Sequence, residues 1–326
     1  MYNANNTFGL YHIEARLLAR KTFRKAAVLN DGSVSRKILL KIQWYMAGSL
    51  VMGEMISSLN GKRLSRSDRK CLIYLGAVMS LFDVLTDEIR TDRRILEKIL
   101  MDTLVENPDF SGKNTSPVVR ICYMFLEELH LSTDSDQWNA ICSLGGLIKK
   151  QMQSDEQFNP DLEESDAEEL TEKKAGAALM LCSAILRIKD PEFVKAIYET
   201  GSFIQRLNDT QDMYRDTVSG IRTFVHFCDG FDQIRSKLLD HKIKIFEIIR
   251  SLDIPESNKY KFLFDLNAMF IVISYKLNCY ERICASRLDF GKISKMEKEH
   301  FRINPFSLKS IRTCSNKILD FSINEP

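Results

Sequence analysis

At 326 residues the chain can hold one large helical domain or two small ones, and its 44% hydrophobic content is enough for a sizeable core. Basic and acidic residues nearly cancel, 46 against 44, so no global field argues for nucleic acid as a partner. The eight cysteines are scattered between Cys71 and Cys314 with no CxxC pair, and the five histidines are not grouped with them. That excludes a tightly spaced zinc site and predicts reduced thiols in the core of a cytoplasmic protein. Met1–Leu10 lacks the apolar run of a signal peptide, and the runs Cys71–Phe82 and Phe262–Tyr275 are interrupted or too short for a bilayer, so no transmembrane segment is expected.

With only 14 glycines and 7 prolines, strand-like alternation is almost absent and helical periodicity runs nearly throughout. In chain order the predicted helices are Leu10–Ala27, Ser35–Leu59, Asp68–Asp92, Arg93–Leu104, Pro117–Leu131 and Asp134–Gln153. Glu164–Arg187, Pro191–Val218, Ile221–Leu252 and Ser257–Asp289 follow. Ser116-Pro117 and Asp190-Pro191 each set a capping side chain before a proline at the first helical position. Residues 155–172 are strongly acidic, with Asn159-Pro160 inside, and read as a solvated loop or a lid over a site. Residues 291–326 form a basic tail. No linker separates two domains, so the expected architecture is all-α: residues 1–326 as a single large helical bundle with a central apolar cavity.

Two acidic segments carry the chemistry. The apolar helix Cys71–Phe82 runs straight into Asp83, and on an α-helix Asp83 and Asp87 lie on one face, one turn apart. Two carboxylates there repel, so either the helix surfaces into water at Asp83 or a counter-ion is present. Further on, Gln205, Asn208, Asp212 and Asp216 recur along Pro191–Val218 as a stripe of oxygen donors. A solvated helix would mix lysine and glutamate instead. Hard oxygen donors on a rigid helix suit Mg²⁺, which takes one or two carboxylates per ion and completes its octahedron with phosphate oxygens and water. Two such helices facing each other across a bundle could hold a diphosphate through two or three Mg²⁺ ions and make it a leaving group.

The pattern Gly201-x3-Gln205-x2-Asn208-x3-Asp212-x3-Asp216 resembles the second aspartate-rich motif of squalene and phytoene synthases and their relatives. Asp83-x3-Asp87-Glu88 resembles the first, and Ala175-Gly176 is similar to the Ala-Gly break between them. The resemblance covers roughly residues 76–88 and 172–220. It implies the all-α isoprenoid synthase fold of class I terpenoid synthases. It also implies Mg²⁺-diphosphate ligation by Asp83, Asp87, Asn208, Asp212 and Asp216, with Glu88 as an auxiliary. Gln205 would line the diphosphate end of the pocket, and no catalytic residue beyond the metal ligands is implied.

The chain also departs from that family. Ser80 stands where the head-to-head synthases carry arginine, Arg215 replaces the penultimate acid, and no tyrosine precedes Ala175-Gly176 near Thr171. The metal ligands survive these changes while the machinery for joining two substrates is disturbed. The expectation is therefore a terpene synthase that cyclises one prenyl diphosphate. The alternatives are head-to-head coupling of two prenyl diphosphates and a non-catalytic helical scaffold. Phe82, Phe203, Tyr74, Phe270 and Tyr275 are candidates to steer a carbocation, each with core packing as its other reading. Arg222 is the preferred basic partner of the diphosphate, ahead of Arg215, Lys173, Lys174 and Lys276.

Overall fold

The computed structural model describes residues 4–32, 34–112, 115–145, 156–301, 314–315, 317–318 and 321. Among the described residues the chain is all-α, with no strand. By its internal contacts it divides into two compact units. The first comprises Met1–Ser58, Lys62–Asp155 and Ala177–Val194; the second comprises Leu59–Gly61, Glu156–Gly176 and Lys195–Pro326.

The first unit holds α1 (Ala4–Leu18), α2 (Arg20–Leu29), α3 (Arg36–Leu59), α4 (Arg66–Asp83), α5 (Arg93–Thr103), α6 (Pro117–His130) and α7 (Ser135–Ser143). Its core is α4, buried on nearly every face from Cys71 to Leu81, as its unbroken apolar run requires. α4 packs on α6, which also receives α2 and α5. A reciprocal pair of bonds between Ser65 and Asp68 starts α4, and Asp134 with Gln137 starts α7 in the same way. Of the two Xaa-Pro starts, Asp190 caps its helix through Phe193 N–H at 2.8 Å, whereas Ser116 makes no side-chain cap. Gly76 is the close-approach residue of this core. A Cβ there would sit 2.6 Å from the Tyr45 carbonyl oxygen and 2.9 Å from Met46 Cα, so only hydrogen fits between α4 and α3.

α8 (Glu164–Ile185) and α9 (Pro191–Ser219) divide between the units, and α10 (Phe231–Ser251), α11 (Glu256–Ile283) and α12 (Phe290–Ile293) belong to the second. There α10 and α11 pack together. α8 and α9 cross where a Cβ on Gly201 would stand 2.4 Å from the Ala175 carbonyl oxygen, and one on Gly176 would stand 2.6 Å from the Tyr198 ring. Ala175-Gly176 therefore marks a helix crossing inside a continuous α8, not a break in it.

Several expected boundaries move. The predicted helix Asp68–Asp92 is α-helical only to Asp83 and then widens into a π turn, Val84–Glu88, closed by Ile89 N–H donating to the Val84 carbonyl at 2.9 Å. The predicted helix Ile221–Leu252 begins ten residues late, at Phe231. Gly220, at φ 72°, ends α9, and Thr223 with His226 builds a short 3-10 turn, Phe224–Phe227, before Gly230 opens α10. The proposed lid at 155–172 is helical from Glu164 onward, and Lys237 pairs there with Glu164 at 2.6 Å and Glu168 at 2.5 Å. Residue 155, the end of the predicted helix Asp134–Gln153 and most of the basic tail at 291–326 lie outside the described residues. The apolar run at 262–275 belongs to the longer α11, which is long and apolar enough to cross a membrane by length and composition alone. In the second unit α11 buries Phe262, Leu263, Leu266 and Leu277.

Candidate functional site

In the first unit, the antiparallel contact of α3 and α4 at Gly76 decides what meets the acidic end of α4. Two turns beyond Gly76 stands Asp83; Tyr45 immediately precedes Met46, and Lys41 lies about one turn before Tyr45. The Lys41 ammonium lies 2.5 Å from the Asp83 carboxylate and 2.8 Å from that of Glu88, and the Tyr45 hydroxyl donates to Asp83 at 3.2 Å. Burial works against the charge on Lys41, but Asp83 and Glu88 outweigh it and hold the ammonium above its ordinary pKa. Asp83 ends the α-helix, and the π turn after it carries Asp87 and Glu88 at a wider winding. The cation bridges residues five apart, Asp83 and Glu88, while Asp87 is half-buried.

In the second unit, the α8–α9 crossing sets a ladder of polar contacts. Ser202 donates to the Glu172 carbonyl at 2.9 Å, Arg206 donates to Glu168 and Glu172 at 3.0 and 2.9 Å, and the Thr171 hydroxyl donates to Asp209 at 2.9 Å. At about 100° per residue, Gln205, Asp209, Asp212 and Asp216 fall within about 60° of arc on α9, with Asn208 on the flank. Asn208 is exposed. Gln205 donates to Asp209 at 2.7 Å. Asp209 and Asp216 are buried, and burial pushes their carboxyls up to about 6 and about 7; the other acids of the stripe add to the shift. Asp212 is half-buried, and its ion pair with Arg215 spans 2.9 Å. The same guanidinium reaches Asp216 at 3.1 Å, so one cation straddles both carboxylates. On α11, burial lowers the pKa of Lys276, with Arg215 adding to the shift against the attraction of Asp212.

Arg222 stands apart from this stripe. Its backbone N–H donates to the Gln157 carbonyl at 2.8 Å, its guanidinium donates to the carbonyls of Pro160 and of Leu162 (3.2 Å), and it stacks over the Phe227 ring. The residue preferred for diphosphate thus pins the turn that leads into α8. Of the candidate cation-steering aromatics, Tyr74 and Phe203 are core residues. Tyr74 shares a hydrogen bond with Thr22 at 2.9 Å, and Phe203 stacks with Phe270 at 6.4 Å.

Sequence reasoning missed Asp209, Thr171, Lys41 and Tyr45. Asp209 was legible: counting by fours from Gln205 gives Asp209 as readily as counting from Asn208 gives Asp212. Lys41 and Tyr45 meet Asp83 across 42 and 38 residues through a helix register, and no local pattern announces that.

The donor chemistry fits Mg²⁺. Both acidic segments offer carboxylates, α9 adds the side-chain oxygens of Gln205 and Asn208, and each segment already holds a side-chain cation against two acids. Burial raises the Asp216 carboxyl more than the Arg215 guanidinium lowers it. Among the described residues no three His, Cys, Asp or Glu side chains form a metal cage by themselves. Mg²⁺ would then draw its remaining ligands from phosphate and water, as it commonly does.

No protein-family profile matches this sequence, and no curated protein matches it. Among solved structures, a geranyltransferase from Legionella pneumophila is similar over 80% of this chain and 96% of its own, at 12% identity and a TM-score of 0.45. A geranyltranstransferase from Thermotoga maritima is similar over 80% of this chain and 99% of its own, at 13% identity and a TM-score of 0.44. A geranylgeranyl pyrophosphate synthase follows at 78% and 98%, with 11% identity and a TM-score of 0.43. These are likenesses of backbone alone. They assign no chemistry to any residue here.

Proposed function

We propose that this chain is a Mg²⁺-dependent enzyme acting on a prenyl diphosphate. Within that class we read it as a cytoplasmic terpene synthase that releases diphosphate from one substrate and forms a terpene hydrocarbon or alcohol. The observation that carries the reading is the polar stripe on α9, where Gln205, Asp209, Asp212 and Asp216 share one face and Arg215 straddles two of its acids. When bound, Mg²⁺ would supply Lewis-acid and electrostatic stabilisation of the departing diphosphate oxygens.

The remaining work falls to the chain's own groups. Asp212 and Asp216, with Asn208 at the flank, would hold metal on α9, and Asp83, Asp87 and Glu88 would do so at the end of α4. Gln205 and Thr171 hold Asp209 in place. Arg215 already pairs with Asp212 and Asp216, and 64% of its side chain is exposed, so it would be the best-placed cation for diphosphate. Lys276, its charge weakened by burial, is the second. The Arg222 role is retained only as a secondary one, because that guanidinium is engaged by carbonyls. The reading treats residues 1–326 as one synthase domain.

Purified protein incubated with Mg²⁺ and prenyl diphosphates of increasing length tests this, with diphosphate and extracted products measured. Cyclised or hydroxylated product from a single substrate supports the terpene synthase. A product of twice the carbon number places the chain with the head-to-head couplers.

A second reading, the non-catalytic helical scaffold, is favoured by one observation: Lys41 and Arg215 already neutralise two acids each without a metal. Added Mg²⁺ separates the readings. It raises the melting temperature of the enzyme and leaves that of the scaffold unchanged.

A further inference from the structure

α1 and α2 run almost as one helix, since Ala19 N–H donates to the Ala15 carbonyl at 3.0 Å and Phe23 N–H donates to that of Ala19 at 2.9 Å. This helix is amphipathic the wrong way round for a soluble core. It buries its small residues, Ala15, Ala19, Thr22 and Ala26, which lie within about 60° of arc. On the opposite side its large apolar residues face outward: Leu10 is 65% exposed, Ile13 56%, Leu17 65% and Val28 87%. Scattered exposed leucines need no explanation, but four large apolar side chains aligned on one stripe do.

The charges on the same helix say what kind of partner fits. Arg24 lies within the apolar stripe and Arg20 and Lys21 border it on either side, all three exposed, while Arg16 and Lys25 lie farther round and Lys25 pairs with Glu128 at 3.3 Å. Between residues 10 and 29 the single acid is Glu14, which is ion-paired with Arg69 at 3.0 Å. A second copy docking face to face would set Lys21 and Arg24 near their own like charges. An anionic lipid surface matches both halves of the pattern, because apolar side chains enter the acyl boundary while lysine and arginine meet the headgroups. On the neighbouring α3, the exposed Trp44, its ring 5.6 Å from that of His12, is the kind of side chain that settles at such a boundary.

We infer that the outward stripe Leu10–Ile13–Leu17–Val28, with Arg24 inside it and Lys21 at its edge, docks the chain flat on a bilayer carrying anionic phospholipid. The inference is independent of the acidic site and stands whether or not that site is catalytic.

Sedimentation of the full chain with vesicles tests it, comparing phosphatidylcholine alone with phosphatidylcholine containing phosphatidylserine. The expected result is partition onto the phosphatidylserine vesicles that weakens with added salt. Lys21→Glu with Arg24→Glu should lower that partition by a factor of roughly 20 or more, since each cation near the surface contributes about fivefold. Leu17→Glu should lower it independently, and all three exposed substitutions should leave the helical circular dichroism and melting temperature intact. Partition that survives these variants overturns the proposal, because another segment, such as α11, then makes the contact. Absence of partition onto either vesicle overturns it too. If the chain then sediments as a dimer that Leu17→Glu dissociates, the occupant of the stripe is a second copy.

Discussion

Asp216 sits with only 4% of its side chain exposed, and burial resists its ionisation more than the Arg215 guanidinium at 3.1 Å favours it. Its folded pKa, pushed up to about 7 by burial, lies above the unfolded value near 4. Between those values the folded chain binds more protons than the unfolded one, so this group's contribution to stability is present in acid and is lost as pH rises through about 7. Asp209 and Asp265, raised to about 6 by burial, act in the same direction. His226 and His241, lowered to about 4 by burial, act oppositely, losing stability as pH falls from about 6.5 to 4. The difference between variants is therefore the clean readout. Without divalent cations, Asp216→Asn should gain on the parent as pH rises from about 4 to 8, by on the order of 2–4 kcal/mol in urea titrations. A constant difference across that range would mean that the carboxylate is charged throughout. At the other acidic helix, Lys41→Met should cost on the order of 1–2 kcal/mol by leaving Asp83 and Glu88 without their shared cation. Mg²⁺ should restore part of that loss.

At the scale of elements, two glycines give opposite expectations for one substitution. Gly76→Ala forces a methyl against the α3 backbone and should cost about 1–3 kcal/mol in thermal or chemical unfolding. Gly48→Ala lies in the interior of α3 with nothing within 4 Å of the new methyl, and should stabilise by roughly 0.5–1 kcal/mol. Equal effects would remove the argument that Gly76 sets the α3–α4 register and so brings Lys41 to Asp83. Helices with clear periodicity and punctuation were legible in the sequence: α3, α5, α6, α8 and α9 fall within one or two residues of expectation. The π turn at Val84–Glu88 was not, because a widened turn depends on hydrogen bonding that no residue pattern encodes. The late start of α10 was half legible. Gly220 and Asp229-Gly230 both signal breaks, but the apolar residues between Ile221 and Phe227 continue the periodicity and masked them. On α9 the stripe was legible, though counting by fours from exposed Asn208 passed over buried Asp209, which the same count from Gln205 reaches.

For the molecule as a whole, the acidic segments were visible in the sequence as runs of carboxylates, while the cations that meet them depend on helix register. Whether those acids serve a metal and a diphosphate or only Lys41 and Arg215 is the question on which the functional account turns. Ionising a prenyl diphosphate builds charge on the departing oxygens, and each well-placed stabilising group is worth about 3–4 kcal/mol, or roughly 10²–10³ in rate. Asp212 is half-buried and outside the core, so its loss is not expected to unfold the chain. The most direct measurement is Mg²⁺-dependent diphosphate release from prenyl diphosphates by the parent chain and by Asp212→Asn, with melting temperatures recorded alongside. The account predicts release by the parent, a drop of roughly 10²–10³ in the variant, and a melting temperature that is unchanged or higher. Parent protein that releases no diphosphate at any chain length, or a variant that unfolds, would contradict it.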